Sequence, residues 1–409
     1  MPEVRAFWHR IQIPAIMVMS VMLDSCNDRA VPMVNLGIDD SYIIYRMQAL
    51  RLHSDLDADG YRWTCVAPDG ARSVLSESSE CLFLSGEEGQ FNLSVELLDG
   101  ESTFVHNFTV RVIHEEIEYS PYITKVFDYR PAPGQFINKM PYWETGDTEA
   151  DMVRKVEECI SGTADELVSL GAYGGYVTFG FDHTVINRPD EPDFLIRGNA
   201  FYETGFEERR AGSCEPGIVL VALDVNGNGV PDDEWYELAG SEYHSPATIH
   251  GYSITYSRPV EGKPAVSQGP YIIDAEYIPW VDSTGDRGYV AKNFQHTQDY
   301  FPKWETAGEL VFSGSRLEPN AFDVYGNGLY FQLSSFPWGY VDNHPNSETA
   351  LNSFDISWAV DAYGMPVMLP GVDFIRVYTA QNQYCNWIGE TSTEISGACD
   401  LHLLTAEKY

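Results

Sequence analysis

The sequence predicts a mainly β chain: a small β-sandwich followed by a larger β-sandwich or jelly roll that carries one or two short helices. Three observations point there. Short runs of β-branched and aromatic residues recur along most of the chain, broken by Gly, Asn, Asp and Pro. Convincing helical spacing is confined to the stretch that opens at Thr148. Neither the strand–helix alternation of a parallel sheet nor a glycine-rich phosphate loop is present, and no fixed-period repeat marks a propeller or solenoid. With 409 residues and 44% hydrophobic content, the chain can bury one large core or two moderate ones.

At the N-terminus, Arg5, His9 and Arg10 precede an apolar run, Ile11–Leu23, that falls short of the ~20 residues a bilayer span needs. Residues 1–25 therefore read as a signal peptide. Leu23-Asp24-Ser25-Cys26 resembles a lipobox, although Asp24 departs from the usual residue there. The resemblance implies that Cys26 is the acylated first residue of a bacterial lipoprotein, followed by a linker over 26–33 and tied to its membrane by lipid only. The alternative is an ordinary signal peptide with Cys26 as a structural thiol.

Residues 34–115 form one compositional unit. SYIIYRMQALRLHS, GYRWTCVAPDG, FNLSVELLDG and HNFTVRVIHE alternate apolar and polar residues and close in Asp-Gly and Pro-Asp-Gly turns, which predicts a small sandwich. Asp55, Asp57, Asp59 and Gly60, leading into Tyr61 and Trp63, resemble the turn of a PKD-like, immunoglobulin-type module, and FTVRV resembles its last strand. In such a module the aspartates either bind calcium or cap the strand.

Residues 116–409 are expected to form the second sandwich. Its opening segment is Pro- and Gly-rich, which suggests extended chain draped over a neighbour. Thr148 then starts a helix through about Ser161, with Met152, Val153, Val156 and Ile160 on one face and Gly162 beyond its end. A second short helix is expected over 165–170. From Gly171 onward YVTFGF, DFLIRGN, GIVLVAL, EWYELAG, YSITYSR, GELVFSG, YFQLSS, FDISWAV and FIRVYT read as strands.

Charge and cysteine usage restrict the function. Lys and Arg total 25 against 61 Asp and Glu, a net charge of −36, and no basic stretch offsets it, so nucleic acid is a poor partner. An excess of carboxylate suits a protein that collects divalent cations outside the cell, and equally one that merely stays soluble. Seven cysteines lie at 26, 65, 81, 159, 214, 385 and 399; giving Cys26 to a lipid leaves an even six in a compartment that permits disulfides. Cys65 with Cys81 and Cys385 with Cys399 are plausible local pairs, which would leave Cys159 with Cys214, one of many possible connectivities. No Cys-x-x-Cys spacing supports zinc.

The later motifs carry a broader resemblance. PAPGQFIN (131–138), GGYVTFGFDHTVIN (174–187), DFLIRGNAF (193–201), SCEPGIVLVALDVNGNGVPDDEWYELAGSEYH (213–244) and LPGVDFIRVYTAQNQ (369–383) are similar to a group of secreted or lipid-anchored surface proteins of Bacteroidetes. Their C-terminal half resembles a galactose-binding-like jelly roll. What the resemblance implies is a cell-surface lipoprotein of the outer membrane, displayed beside nutrient-uptake systems. Its implied ligand is a carbohydrate, or a corrinoid for a neighbouring outer-membrane transporter.

Within those motifs, VALDVNGNGVPDDEWYELAG (221–240) is the strongest metal candidate. Calcium takes six to eight hard oxygen ligands, and Asp224, Asn226, Asn228, the Val230 carbonyl and Asp232 fit the spacing of positions 1, 3, 5, 7 and 9 of a calcium loop, with Gly229 at 6. Position 12 holds Trp235 rather than a bidentate Glu, so this is no EF-hand. The rival reading is an Asx-rich hairpin whose side chains satisfy their own backbone. Asp182, Asp190 and Asp193, with Asn187 and Asn199, form a second-choice calcium site, or else cap turns around Pro189 and Pro192.

Catalysis finds no positive support. With 61 carboxylates some pair reaches glycosidase separation by chance, and neither Gly-x-Ser-x-Gly nor His-Glu-x-x-His occurs. Binding has compositional support. Trp280, Trp304, Trp338 and Trp387 occur in loop-like stretches beside polar residues, where an exposed indole can stack on a sugar ring or a corrin; the bland alternative is that each plugs the end of a sandwich. The resulting expectation is a non-catalytic surface protein with a calcium-stiffened loop. Its rivals are an adhesive protein that binds another protein and a glycan-degrading enzyme of unfamiliar type.

Overall fold

A computed structural model describes residues 36–404 apart from 101, 189 and 190. The expected signal peptide, the linker, Cys26 and Asp190 lie outside the described residues, as does the side chain of Trp387. The chain is mainly β, 41% strand and 6% helical. No helix among the described residues is long and apolar enough to cross a membrane.

The first seven strands pair only with one another. Ser41–Tyr45, Ser102–Ile113, Gly89–Asp99, Gly60–Val66 and Arg72–Ser76 form a five-stranded sheet in that order, its first pair parallel. Leu50–His53 and Glu80–Phe83 form the facing pair. Alternation in FNLSVEL sends Phe91, Leu93, Val95 and Leu97 inward, and Trp63 is fully buried among them with its indole N–H donated to the Ser78 carbonyl at 2.9 Å. In the Asp55–Gly60 turn Asp59 accepts the Gly100 N–H at 3.0 Å, and the Tyr61 hydroxyl donates to the Leu56 carbonyl at 2.8 Å.

The second region is built on one six-stranded antiparallel sheet, ordered Ala359–Val360, Tyr236–Leu238, Gly217–Ala222, Phe374–Thr379, Tyr176–Gly180, Lys125–Arg130. Alternating residues of the same strands enter two different cores. Val219, Val221, Val177, Phe179, Ile375 and Val377 face the helix Glu149–Ile160 and the sheet formed by Ser353–Phe354, Phe194–Arg197 and Gly397–Asp400. Ile218, Leu220, Tyr176 and Tyr378 face a four-stranded sheet that contains Ile249–Ser257 and Glu309–Arg316. A further sheet, Phe201–Tyr202, Ala211–Ser213, Phe331–Ser334 and Ala321–Asp323, stands at one end.

The helix forms where its spacing says it should. Thr148 caps it, accepting the Asp151 N–H at 3.3 Å while Asp151 accepts the Thr148 N–H at 2.9 Å, and Met152, Val156 and Ile160 are buried. The second helix does not form: Val168–Ser169 pairs as a strand with Glu394–Ile395, because burial of Val168 and Leu170 demands partners that a single exposed turn lacks. FDISWAV is likewise not one strand. Asp355 caps a 3₁₀ turn, Ile356–Trp358, between two short strands.

The expected disulfides are absent among the described residues, where the six cysteines are free and buried. All three pairings are corrected: Cys65 and Cys81 share the N-terminal core but are free thiols, Cys159 lies in the helix-side core, and Cys214 and Cys385 share a small core of their own, apart from Cys399. Truncating Trp63 to Ala is expected to cost about 3–5 kcal/mol through lost burial and a residual cavity, read as a lowered denaturant midpoint of the N-terminal sandwich. A loss under about 1 kcal/mol would show that the indole is not the keystone of that core.

Candidate functional site

The polar chemistry concentrates where the end sheet meets the central one. Glu215 leaves the strand Ala211–Ser213 two residues ahead of Gly217–Ala222, and Glu394 sits in the short strand Glu394–Ile395. Asp342 comes from the turn after Tyr340, held at φ 55°, a left-handed conformation uncommon outside glycine. The three carboxylates place oxygens within 4.8 Å of one another.

Their hydrogen bonds fix that arrangement. One Asp342 oxygen accepts the N–H groups of Asn199 and Ala200, each at 2.7 Å, and the other accepts that of Glu394 at 2.9 Å. A Cβ on Gly198 would stand 2.4 Å from the first oxygen, so glycine is required there. Glu215 accepts the Ser392 N–H at 3.0 Å and the Ser213 hydroxyl at 3.1 Å, and Glu394 accepts the Ser392 hydroxyl at 2.8 Å.

Glu215 and Glu394 floor a pocket of about 520 Å³. Phe136, Phe201, Tyr330, Phe331, Leu333 and Ile388 supply its apolar wall, and Gln135, Gln295, His296 and Gln332 its polar one. Phe201 is 50% exposed, and Tyr330 stacks on the exposed Tyr325 with ring centroids 5.6 Å apart. One cavity lining thus combines aromatic rings, one of them half exposed, with two carboxylates.

Electrostatically the floor is unbalanced. Burial, and then the charge of Asp342, pushes Glu215 up to about 8; burial pushes Asp342 up to about 7 against the three amides it accepts. Burial and the charges of Glu215 and Asp342 raise Glu394 well above the carboxylate range. Nearby Glu390, buried with one oxygen on the Gln135 N–H at 2.6 Å, is pushed up to about 7. Among the described residues no lysine or arginine forms an ion pair with Glu215, Asp342 or Glu394.

The sequence-derived calcium loop closes on itself. Asp224 accepts the N–H groups of Gly227, Asn228 and Gly229 at 2.7, 3.0 and 2.9 Å, while Asn226 and Asn228 donate their amides to Asp232. Val230 lends its N–H to Asn228 and its carbonyl to Asp232 N–H. Arg51 of the N-terminal sandwich donates to the carbonyls of Asp224 and Val225 at 2.5 and 2.6 Å. One acceptor is left over: Asp233 Oδ2 is buried without a partner, and its pKa is raised by burial and by Asp224 and Asp232.

Asp182 and Asp193 do not converge on a common point. Asp182 lies 2.9 Å from His183 Nδ1, whose Nε2 lies 2.8 Å from Asp400, and Asp193 lies 2.9 Å from His402 Nε2. Burial opposes a charge on His183, yet the bonds to Asp400 and Asp182 leave its pKa raised.

The tryptophans are dispersed. Trp280 is in the strand Ile272–Asp282, not in a loop, and lies over Gly288 of the paired strand; Trp304 stacks on Tyr129 at 5.9 Å. Trp338, 39% exposed, sits 4.7 Å from Trp358, and Trp387 belongs to the 3₁₀ turn Asn386–Ile388. Trp280, Trp304 and Trp338 are not part of the pocket lining. Sequence reading missed the triad because its members are 127 and 52 residues apart (342 − 215 and 394 − 342), single acids among 61.

No family model and no curated protein matches the chain. Among solved structures it is similar to a SusE-like protein, BT2857, at 9% identity and a TM-score of 0.30, over 87% of this chain and 94% of that one. A likeness that distant carries no argument, so the functional reading rests on the site.

The raised carboxyls dictate a pH dependence. Each is stabilising in its protonated form, fully so below the unfolded value of about 4.3, and that contribution is lost as pH rises through the folded values of about 7 to 8. His296 and His344, lowered by burial, act in the opposite sense. In chelator, Glu390→Gln is expected to flatten the fall in unfolding midpoint between pH 5 and 8 and to gain up to roughly 3 kcal/mol over wild type at pH 8. Identical profiles for the two proteins would refute the assignment.

Proposed function

We propose that this chain is an exported, non-catalytic binding protein that holds a neutral carbohydrate in the pocket floored by Glu215 and Glu394. The observation that carries the reading is the cavity itself: the aromatic rings of Phe201 and Tyr330 and two carboxylates able to accept hydroxyl hydrogen bonds line one volume of about 520 Å³. Sugars present an apolar C–H face and a ring of hydroxyls, so they need these two surfaces together. Buried carboxylates and a net charge of −36 turn away uronates and other acidic sugars.

A corrinoid is the second ligand class, but a whole corrin is larger than the drug-sized ligands such a volume encloses, so it would meet only the rim. Hydrolysis finds no dedicated pair: glycosidases act through two carboxyl groups, whereas three crowd one point here and Asp342 accepts three backbone N–H groups.

Surface display through a lipid on Cys26, and hand-over to an outer-membrane transporter, belong to the same proposal and draw on the lipobox-like Leu23–Cys26. So does calcium at Asp224–Asp233, where the partnerless oxygen of Asp233 and two adjacent carboxylates favour a cation.

Two measurements test this. Calorimetric titration with neutral oligosaccharides and with cobalamin should give saturable binding to a glycan that Phe201→Ala or Tyr330→Ala weakens about tenfold, the loss of one stacking contact. Binding that survives both changes but disappears in Trp338→Ala would move the ligand to the Trp338–Trp358 pair, and release of reducing ends would make the protein an enzyme. For the loop, calcium should raise the unfolding midpoint over chelator, and Asp232→Asn should shrink that rise; equal midpoints for wild type would remove the loop's metal.

A further inference from the structure

We infer that the triad Glu215, Asp342 and Glu394 is a binding site for a hard divalent cation, calcium foremost, at the floor of the pocket. Two oxygens bound to one calcium at 2.3–2.6 Å are at most about 5 Å apart, and all three carboxylates place oxygens inside 4.8 Å of one another. Hard oxygen donors without sulfur or imidazole select calcium or magnesium over zinc or copper. Three carboxylates held together out of water with no cationic side chain cost far more than their amide bonds return. A metal ion is the charge that the arrangement lacks.

A second observation points to the same place. Gln332 is 4% exposed, lines the same pocket, and its Oε1 has no hydrogen-bond partner, while its Nε2 donates to Tyr330. Gly212 pairs with Leu333 across the strands, so Gln332 stands opposite Ser213, and the two side chains share a face. Since Ser213 bonds to Glu215 at 3.1 Å, that face is the one turned to the triad. An orphaned amide oxygen in the pocket that Glu215 and Glu394 line is an oxygen ligand awaiting an electropositive partner.

The remaining coordination positions fall to water or to whatever enters the pocket, because Glu215 and Glu394 line it. A bound ion would thus present a Lewis-acidic point to ligand oxygens at the base of the cavity. The inference does not depend on which ligand the pocket takes, and the probe is calcium alone.

The test is calorimetric titration of the full, chelator-stripped chain with calcium chloride, with magnesium chloride in parallel. Wild type should bind calcium, and Glu394→Gln or Glu215→Gln should weaken one site at least about tenfold, the usual cost of disturbing a metal's ligands. Asp232→Asn, in the separate Asp224 loop, should leave that site intact. Both glutamine variants remove a buried charge and are expected to unfold in chelator no lower than wild type, so a lost site is not a lost fold. Wild-type calcium stoichiometry and affinity in both variants, or no calcium binding by wild type, overturns the inference.

Discussion

The six-stranded sheet of the second region is covered on both faces, and that constraint organises the rest. A one-sided sheet tolerates polar residues at every second position; here each step along Gly217–Ala222 alternates between two apolar interiors, giving the unbroken run Ile218, Val219, Leu220, Val221. A charged residue can enter such a sheet only if its neighbours solve its solvation. Arg376 shows how: its guanidinium donates to the Thr178 hydroxyl at 2.9 Å and lies over the rings of Tyr176 and Trp235, at 4.4 and 4.3 Å. Burial lowers its pKa while the charges of Tyr176 and Asp128 counteract that.

A sheet filled on both faces has room for chemistry only beyond its strand ends. Glu215 stands two residues before the Gly217–Ala222 strand, and the Thr379 hydroxyl at the end of Phe374–Thr379 accepts the N–H of Thr393, one residue from Glu394. Asp342 reaches the same point from a turn whose backbone pairs across Gly217 and Val341. The site is therefore held by main chain from several distant segments, which suits it to geometry that must not relax. The left-handed Asp342 and the clearance at Gly198 are local costs accepted for that rigidity.

The same physics explains what was legible in the sequence. Alternation reports burial on one or two faces, so FNLSVEL, GIVLVAL and FIRVYT were read as strands and form them. The helix was legible because its cap, apolar stripe and terminal glycine are all local. Failures came where a partner far along the chain decides the outcome. Residues 165–170 have helix-compatible composition, yet Val168–Ser169 pairs with Glu394–Ile395, and Trp280, expected in a loop, lies in the hairpin of Ile272–Asp282 with Arg287–Asn293 despite the neighbouring Pro279. Pro279 is accommodated next to irregular register in that pair. The Asp224 loop is visible because its oxygen-bearing residues recur at every second position of one short stretch, and the triad is not, because nothing local distinguishes Glu215, Asp342 or Glu394 from other acids.

The charge of the whole chain and the charge of the pocket floor are one problem at two scales. A chain with a formal net charge of −36 concentrates cations around it and repels anions, while salt screens the effect beyond about 10 Å. Screening is weak at buried carboxylates such as Asp342 and Glu394, where desolvation raises the cost of every uncompensated charge. The floor can lower that cost in only two ways: by holding protons, as the raised carboxyls do, or by holding a cation drawn from an atmosphere the surface has already enriched. Protons serve at acidic pH. As pH rises past the folded values of about 7 and 8 that remedy fails, and the pull on a metal ion is strongest where the protonated alternative is weakest.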